Sequence, residues 1–330
     1  MTEAGKWVVA TEVAGQTLAA AVRAQQPRLS WSKIRQHIAA RRVTLNGELC
    51  LDPARRIKAG DTIALLAESL AVPAAHREPI VIRHLDGHVV VVEKPAGIST
   101  VRHPAELEWT RERRELTPTL QDRVQWMLSE KFQNRIHLLP RLRIVHRLDK
   151  ETSGLVVFAR SVDAERELGQ QFRRHTVTRR YLALVAGDMP AQTIRSFLVR
   201  DRGDGRRGST NLPNVGKEAI THVEVVERLP KHTLLACRLE TGRTHQIRIH
   251  LSEAGHPVCG EKVYNRQMDG TPIAEACEAP RLFLHATELG FDHPATGERL
   301  NWQMPLPQDL EEYLRIVRTA PNSKPLTPDS

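Results

Sequence analysis

The sequence predicts a mixed helix-and-strand fold in two blocks, and three observations carry that reading. Amphipathic helical stretches, WSKIRQHIAA and VDAERELGQQFRRH, are interspersed with β-branched apolar runs such as VVVV and GLVVFA. A stretch with two prolines, AVPAAHREP at 71–79, separates a small block from a large one. The 330 residues, 40% hydrophobic and 4% aromatic, suffice for one large core or two domains of an ordinary soluble protein.

The small block spans 15–72. Ser30 caps the helix WSKIRQHIAA, whose Ile34, His37 and Ile38 share a face. RRVTLNGELCLDP then reads as strand, Asn46-Gly47 turn and strand, and IKAGDTIALL as a turn and closing strand. Lys33, Arg35, Arg41 and Arg42 fall on the polar face and end of the helix, where they are expected to be free to touch phosphates.

The large block spans 80–318. IVIRHLDGHVVVVEKPAGIST gives two strands, and 102–143 is polar and arginine-rich around the helical LQDRVQWMLSEKF. The run IVHRLDKETSGLVVFAR ends as a buried strand but opens with a dense polar knot around Asp149. Ser161 caps VDAERELGQQFRRH, with acids in its first turn and bases in its last, as the helix dipole favours. RRYLALVAG is the next strand. Residues 200–217 carry glycine and arginine without hydrophobic period and read as a mobile basic loop. EAITHVEVVERL and HTLLACRLE alternate as strands, and Thr244 is expected to cap HQIRIHLSEAG, which Gly255 ends. The tail 321–330 is polar and expected to be disordered.

A formal charge of +9 points to a polyanion, and the bases cluster rather than scatter. Arginine dominates the clusters, and its planar fork suits phosphate oxygens. No run approaches the roughly 18 apolar residues of a membrane span. The start lacks the basic and apolar regions of a secretory signal. Cys50, Cys237, Cys259 and Cys277 stand apart with no CxxC pair, which argues against a zinc ribbon and a disulfide framework and fits a reducing cytoplasm.

Two polar knots carry chemistry. Asp149 lies between Arg147 and Lys150, cations that favour its ionised form. Such a carboxylate suits a nucleophile or electrostatic stabiliser, although on local features alone a structural Asp-Arg pair is the plainer reading. The second knot, TGRTHQIRIH, puts Arg243 just before a helix and Arg248 one turn into it. A buried arginine there needs a carboxylate, and Asp149 is the unspent one. His245 and His250, five apart, lack the i,i+4 spacing of a metal pair. His146 reads as a packed hydrogen-bonding residue rather than a base.

HRLDKETSG with the downstream GRTHQIRIH resembles the pseudouridine synthases of the RluA type. VVVVEKPAGIS, RRYLALV, GKEAITHVEVVE and FLHATELGFDHP fit in order, so the resemblance covers most of 80–310. Residues 29–66 resemble the alpha-L RNA-binding motif that often precedes this domain. The segment 102–143 departs from the family, being longer and more basic.

The resemblance implies an α+β catalytic domain with a bent, mostly antiparallel mixed sheet. It implies an isomerase that flips a uridine out of folded RNA and needs no cofactor or metal. Asp149 would be the catalytic carboxylate, Tyr181 would pack on the target base, and Arg243 would pair with the aspartate. Arg147 would slide into the gap left by the flipped base. Lys33, Arg35, Arg41, Arg42, Arg202, Arg206 and Arg207 complete the expected RNA-binding set. The chain is expected to act as a monomer on ribosomal RNA, with transfer RNA the alternative. Two rivals stay open: a glycosidase, which normally needs two carboxylates, and a non-catalytic RNA-binding or ribosome-assembly protein.

Overall fold

A computed structural model describes residues 3–70, 79–109, 111–131, 140–212, 214–269, 271–273, 277 and 279–319. The polar tail and most of the two-proline stretch lie outside the described residues. The described parts of 1–77 and 109–116 form one compact unit, and those of 78–108 and 117–330 another.

The small unit holds β1 (Glu3–Val8), α1 (Leu18–Gln25), α2 (Trp31–Ala39), β2 (Val43–Leu45), β3 (Glu48–Leu49), β4 (Thr62–Leu66) and α3 (Arg111–Leu116). Thr17 and Ser30 each accept a backbone N–H at 3.2 Å and so start α1 and α2. Asn46 and Gly47 both have positive φ, the backbone a tight hairpin turn requires. The sheet order is β1-β4-β2-β3, every pair antiparallel. Leu18, Val22, Ile34, Ile38 and Ile63 fill the core beneath it. The unit therefore begins before residue 15, the expected boundary. EAGKWV joins the sheet although its glycine and charges give it a weak strand pattern.

The large unit holds β5 (Ile82–Leu85), β6 (Val89–Lys94), α4 (Leu120–Lys131), β7 (Arg143–Ile144), β8 (Ser153–Ala159) and α5 (Val162–Arg173). It continues with β9 (Thr178–Ala186), β10 (Gln192–Val199), β11 (Gly208–Thr210), β12 (Lys217–Leu229) and β13 (His232–Leu239). It ends with α6 (Gln246–Glu253), β14 (Leu284–Asp292), β15 (Arg299–Gln303) and α7 (Gln308–Thr319). One large sheet runs β11-β10-β12-β13-β9-β14-β8-β6-β5, with β15 on β14 and β7 on β8. Only the β8–β14 pair is parallel among the described residues, so the sheet is mixed and mostly antiparallel.

Cores lie on both faces of this sheet, which explains the uninterrupted valines of β6. Val90 and Val92 pack with Val156, Phe158, α4 and α7 on one face. Val89 and Val91 pack with Leu155, Val157 and α5 on the other.

Two expectations need correction. Cys259 and Cys277 form a disulfide with Cα atoms 5.0 Å apart. Sequence spacing could not reveal it, because the fold brings the pair together at the mouth of the loop after α6. The stretch 200–217 is not a free loop. Asp201 accepts the N–H groups of Gly203 and Gly205 at 2.8 and 2.9 Å, and β11 pairs with β10.

Candidate active site

The loop carrying Asp149 is held on several sides. Thr100 Oγ1 donates to the Leu148 carbonyl at 2.7 Å and accepts its N–H at 3.1 Å. Beneath the loop the Lys94 ammonium donates to the carbonyls of Pro95, Lys150 and Thr152 at 2.9, 3.0 and 2.7 Å. Those three acceptors match its three N–H bonds and account for a lysine that is fully buried. Gly154 follows with φ +127°, and a Cβ there would lie 2.3 Å from the Ala286 carbonyl oxygen. Glycine alone lets β8 start against β14. Asp149 thus stands on a braced turn at the edge of a cavity of about 640 Å³.

Arg248, in the first turn of α6, reaches towards this carboxylate. Its Nε and Nη2 donate to Glu261 at 2.7 Å each, leaving Nη1 3.6 Å from Asp149. Burial alone would lower the guanidinium's pKa. The Glu261 hydrogen bonds and charge, with Asp149 behind them, outweigh burial and raise it. Glu261 behaves as its counterpart: burial would raise its carboxyl, but Arg248 holds it below its ordinary value.

His245 completes the arrangement. It is the N-cap of α6 and adopts the left-handed region, φ 58° and ψ 21°, without a side-chain cap. The helix starts after His245 rather than at a Thr244 cap, because Gln246 Oε1 accepts the Arg243 N–H at 3.0 Å and the Thr241 hydroxyl at 2.8 Å. The His245 Nδ1 meets the Tyr264 hydroxyl at 2.7 Å, and its Nε2 lies 3.8 Å from Asp149. Burial lowers its pKa, with Asp149 opposing and Arg248 reinforcing the shift. Across the cavity, Tyr181 of β9 is buried, and burial pushes its hydroxyl up to about 12 against the opposing pull of Arg179, with Asp149 adding to the rise. It is therefore a protonated hydroxyl at neutral pH.

The sequence-predicted residues divide. Asp149, Tyr181, Arg147 and Arg243 all line the cavity. Arg243 does not pair with Asp149, however. Its Nε donates to the Glu218 carbonyl at 2.9 Å, and the pairing arginine is Arg248. The helix places Arg248 inward and leaves Arg243 on the rim. Arg202 and Arg206 are spent on Asp204, at 3.0 and 2.8 Å, and Arg206 also donates to the Val263 and Gln267 carbonyls. Arg207 lies close enough to bear on His245 and Tyr264. In the small unit Arg41 is buried and donates to the Leu70 carbonyl at 3.0 Å, while Arg42 donates to the Leu66 carbonyl at 2.9 Å. These two staple α2 to the end of β4 rather than standing free. Lys33 and Arg35 are exposed, Lys33 touching Gln36.

His146 accepts the Val157 N–H at 3.0 Å through Nε2, as befits a packed hydrogen-bonding residue. His250 is committed to the hydroxyls of Thr221 and Ser196 at 2.9 and 3.0 Å, away from the partners of His245. Sequence reasoning missed Glu261 and Tyr264, which sit in CGEKVY without any local pattern that marks them.

A family model described as RNA pseudouridylate synthase matches residues 88–253, which include both polar knots. The chain belongs to this family. The synthase is 34% identical over 319 residues to ribosomal large subunit pseudouridine synthase D of Nitrosomonas europaea, covering 96% of this chain and 88% of that one. It is 35% identical to the protein of the same name from Pseudomonas aeruginosa, covering 93% of each. The match in Escherichia coli O157:H7 is 33% identical, covering 92% of this chain and 91% of the other. Among solved structures, human RNA pseudouridylate synthase domain containing 4 shares the fold, with a TM-score of 0.57 and 24% identity over 74% of this chain and 94% of that one. The synthase is accordingly an isomerase that converts uridine to pseudouridine in RNA.

Proposed function

We propose that the synthase acts on uridines within folded large-subunit ribosomal RNA, flips each target base into the cavity, and uses Asp149 as its catalytic carboxylate. The observation that carries this reading is the meeting of Asp149, Tyr181 and Arg248 at one cavity. The relatives' names favour the ribosomal substrate.

Flipping brings the glycosidic bond to Asp149, which attacks the ribose or the base. The bond from the sugar to N1 breaks, one to C5 forms, the bond to Asp149 is released, and the proton lost from C5 is balanced by one taken up at N1. No electron or group is lost, so the residues need no cofactor or metal. Arg248 aims the carboxylate. Tyr181 packs on the base and stands near the C5 proton, and the exposed Arg147 fills the gap in the RNA stack. Arg35 and Lys33 of the small unit, in the stretch that resembles the alpha-L motif, contact phosphates. The same reading has the chain working as a monomer in the cytoplasm.

The test is tritium release from RNA labelled at uridine C5, taken from cells that lack the protein. Wild-type chain should release it and Asp149→Asn should not, while still binding RNA. Release by the variant at the wild-type rate would remove Asp149 from the mechanism. Free uracil as the product would make the chain a glycosidase.

A further inference from the structure

Asp149, Tyr181 and Arg248 account for only some of the residues that line the cavity. Gly169, Phe172 and Arg173 of α5 and Arg179 of β9 line it as well, with Arg179 lying over the Phe172 ring. Gly169 has no structural reason to be glycine. It sits in the middle of a helix, where glycine is unfavourable, and its φ is not positive. A Cβ added there would meet only the tip of Arg173, Nη1 at 3.3 Å. Neither backbone conformation nor packing demands the bare position, so close approach by something outside the chain is what it permits.

Arg179 says what that is. The side chain is 7% exposed and lies over the Phe172 ring, Cζ 5.3 Å from its centroid. Its Nη2 donates to the carbonyls of Leu239 and Glu240 at 3.5 and 3.2 Å, and its Nε has no hydrogen-bond partner. No carboxylate pairs with it among the described residues. A buried cation without an anion is costly, and an anion from outside relieves it. The carboxylate on this stretch of α5 that lines the cavity, Glu165, is already held by Arg143 at 2.7 Å. Arg173 adds a second, exposed cation at the helix end.

We propose that the α5 side of the cavity is a second nucleotide subsite, which takes the phosphodiester and base of an RNA residue flanking the target uridine, with Gly169 as its floor and Arg173 and Arg179 on the phosphate. The proposal rests on the RNA reading above and extends it from one base to a strand.

Gly169→Ala separates this role from a structural one, because the two predict opposite signs. Relief of the helix penalty raises the melting temperature by about 2 °C. Filling the floor weakens binding of the C5-labelled RNA by about tenfold, the scale of one lost base contact. Arg173→Ala lowers the slope of log affinity against log salt by about one. Gly169→Ser repeats the test with a second side chain. A raised melting temperature with unchanged affinity and tritium release overturns the subsite. A sharply lowered melting temperature in both glycine variants also overturns it, since packing would then require the glycine. Weakened RNA binding in a wild-type background that releases no tritium would sink the isomerase reading and leave the subsite standing.

Discussion

Arg248 spends two of its nitrogens on Glu261, at 2.7 Å each, and turns the third towards Asp149 at 3.6 Å. The carboxylate of Asp149, the proposed catalytic acid, thus faces an arginine that a second, buried acid holds in place. Removing Glu261 leaves a buried guanidinium half-paired. Glu261→Gln should therefore lower stability by about 3 kcal/mol. It should also cut the rate of isomerisation more than RNA affinity, because Arg248 loses its aim. Denaturant melts and single-turnover rates check both. An unchanged rate would mean that Asp149 needs no positioned cation.

Gly154 offers a sharper structural test. A methyl group there would overlap the backbone of Ala286, at a φ that L side chains rarely adopt. Gly154→Ala should cost more than about 3 kcal/mol. Gly15 shares a positive φ but faces open space, so Gly15→Ala should cost only about 1 kcal/mol. Equal effects in thermal melts would refute the claim that the β8–β14 approach requires glycine.

Much of this site was legible in the sequence, for reasons that can be named. The strands β6 and β8 announce themselves because both faces are buried, and the polar knots stand out because charge interrupts apolar runs. Asp149 stands out on that basis, whereas Tyr181 is marked only by the resemblance to the family. The pairing of Arg243 came from the resemblance alone; in the fold His245 takes a left-handed conformation, the helix begins after it, and Arg248 is the arginine that meets Asp149. No periodicity encodes such a turn. Arg202 and Arg206 looked free because their partner Asp204 lies in the same stretch, where a charge count cannot tell pairing from proximity. Glu261, Tyr264 and the disulfide depend on long-range packing that only the folded chain supplies.

Burial pushes the rings of His250 and His285 down to about 4 from the 6.5 of an exposed histidine. A base with a depressed folded value contributes stability that is present above 6.5 and lost as pH falls towards 4. At pH 5 each ring should cost about 2 kcal/mol relative to neutral pH. The protein should therefore melt markedly lower at pH 5 than at pH 7.5. His250→Asn, which keeps a polar side chain near Thr221 and Ser196, should remove about a third of that pH dependence, because the buried His146, pushed down to about 3, shares it. A melting temperature flat across this range would refute the burial argument for both.

The basic residues of the small unit can be sorted by the same logic. Arg41 and Arg42 donate to the Leu70 and Leu66 carbonyls, so their replacement strands backbone acceptors. Arg41→Ala should cost about 1–2 kcal/mol of stability. It should leave the salt dependence of RNA binding nearly unchanged once folded protein is compared. Arg35 is exposed, with its charge available to phosphate. Arg35→Ala should leave stability alone and reduce the salt slope by about one, since each phosphate contact releases close to one counterion. Affinity measured between about 50 and 200 mM salt separates the two. A slope unchanged in Arg35→Ala would remove α2 from the RNA interface and confine recognition to the large unit.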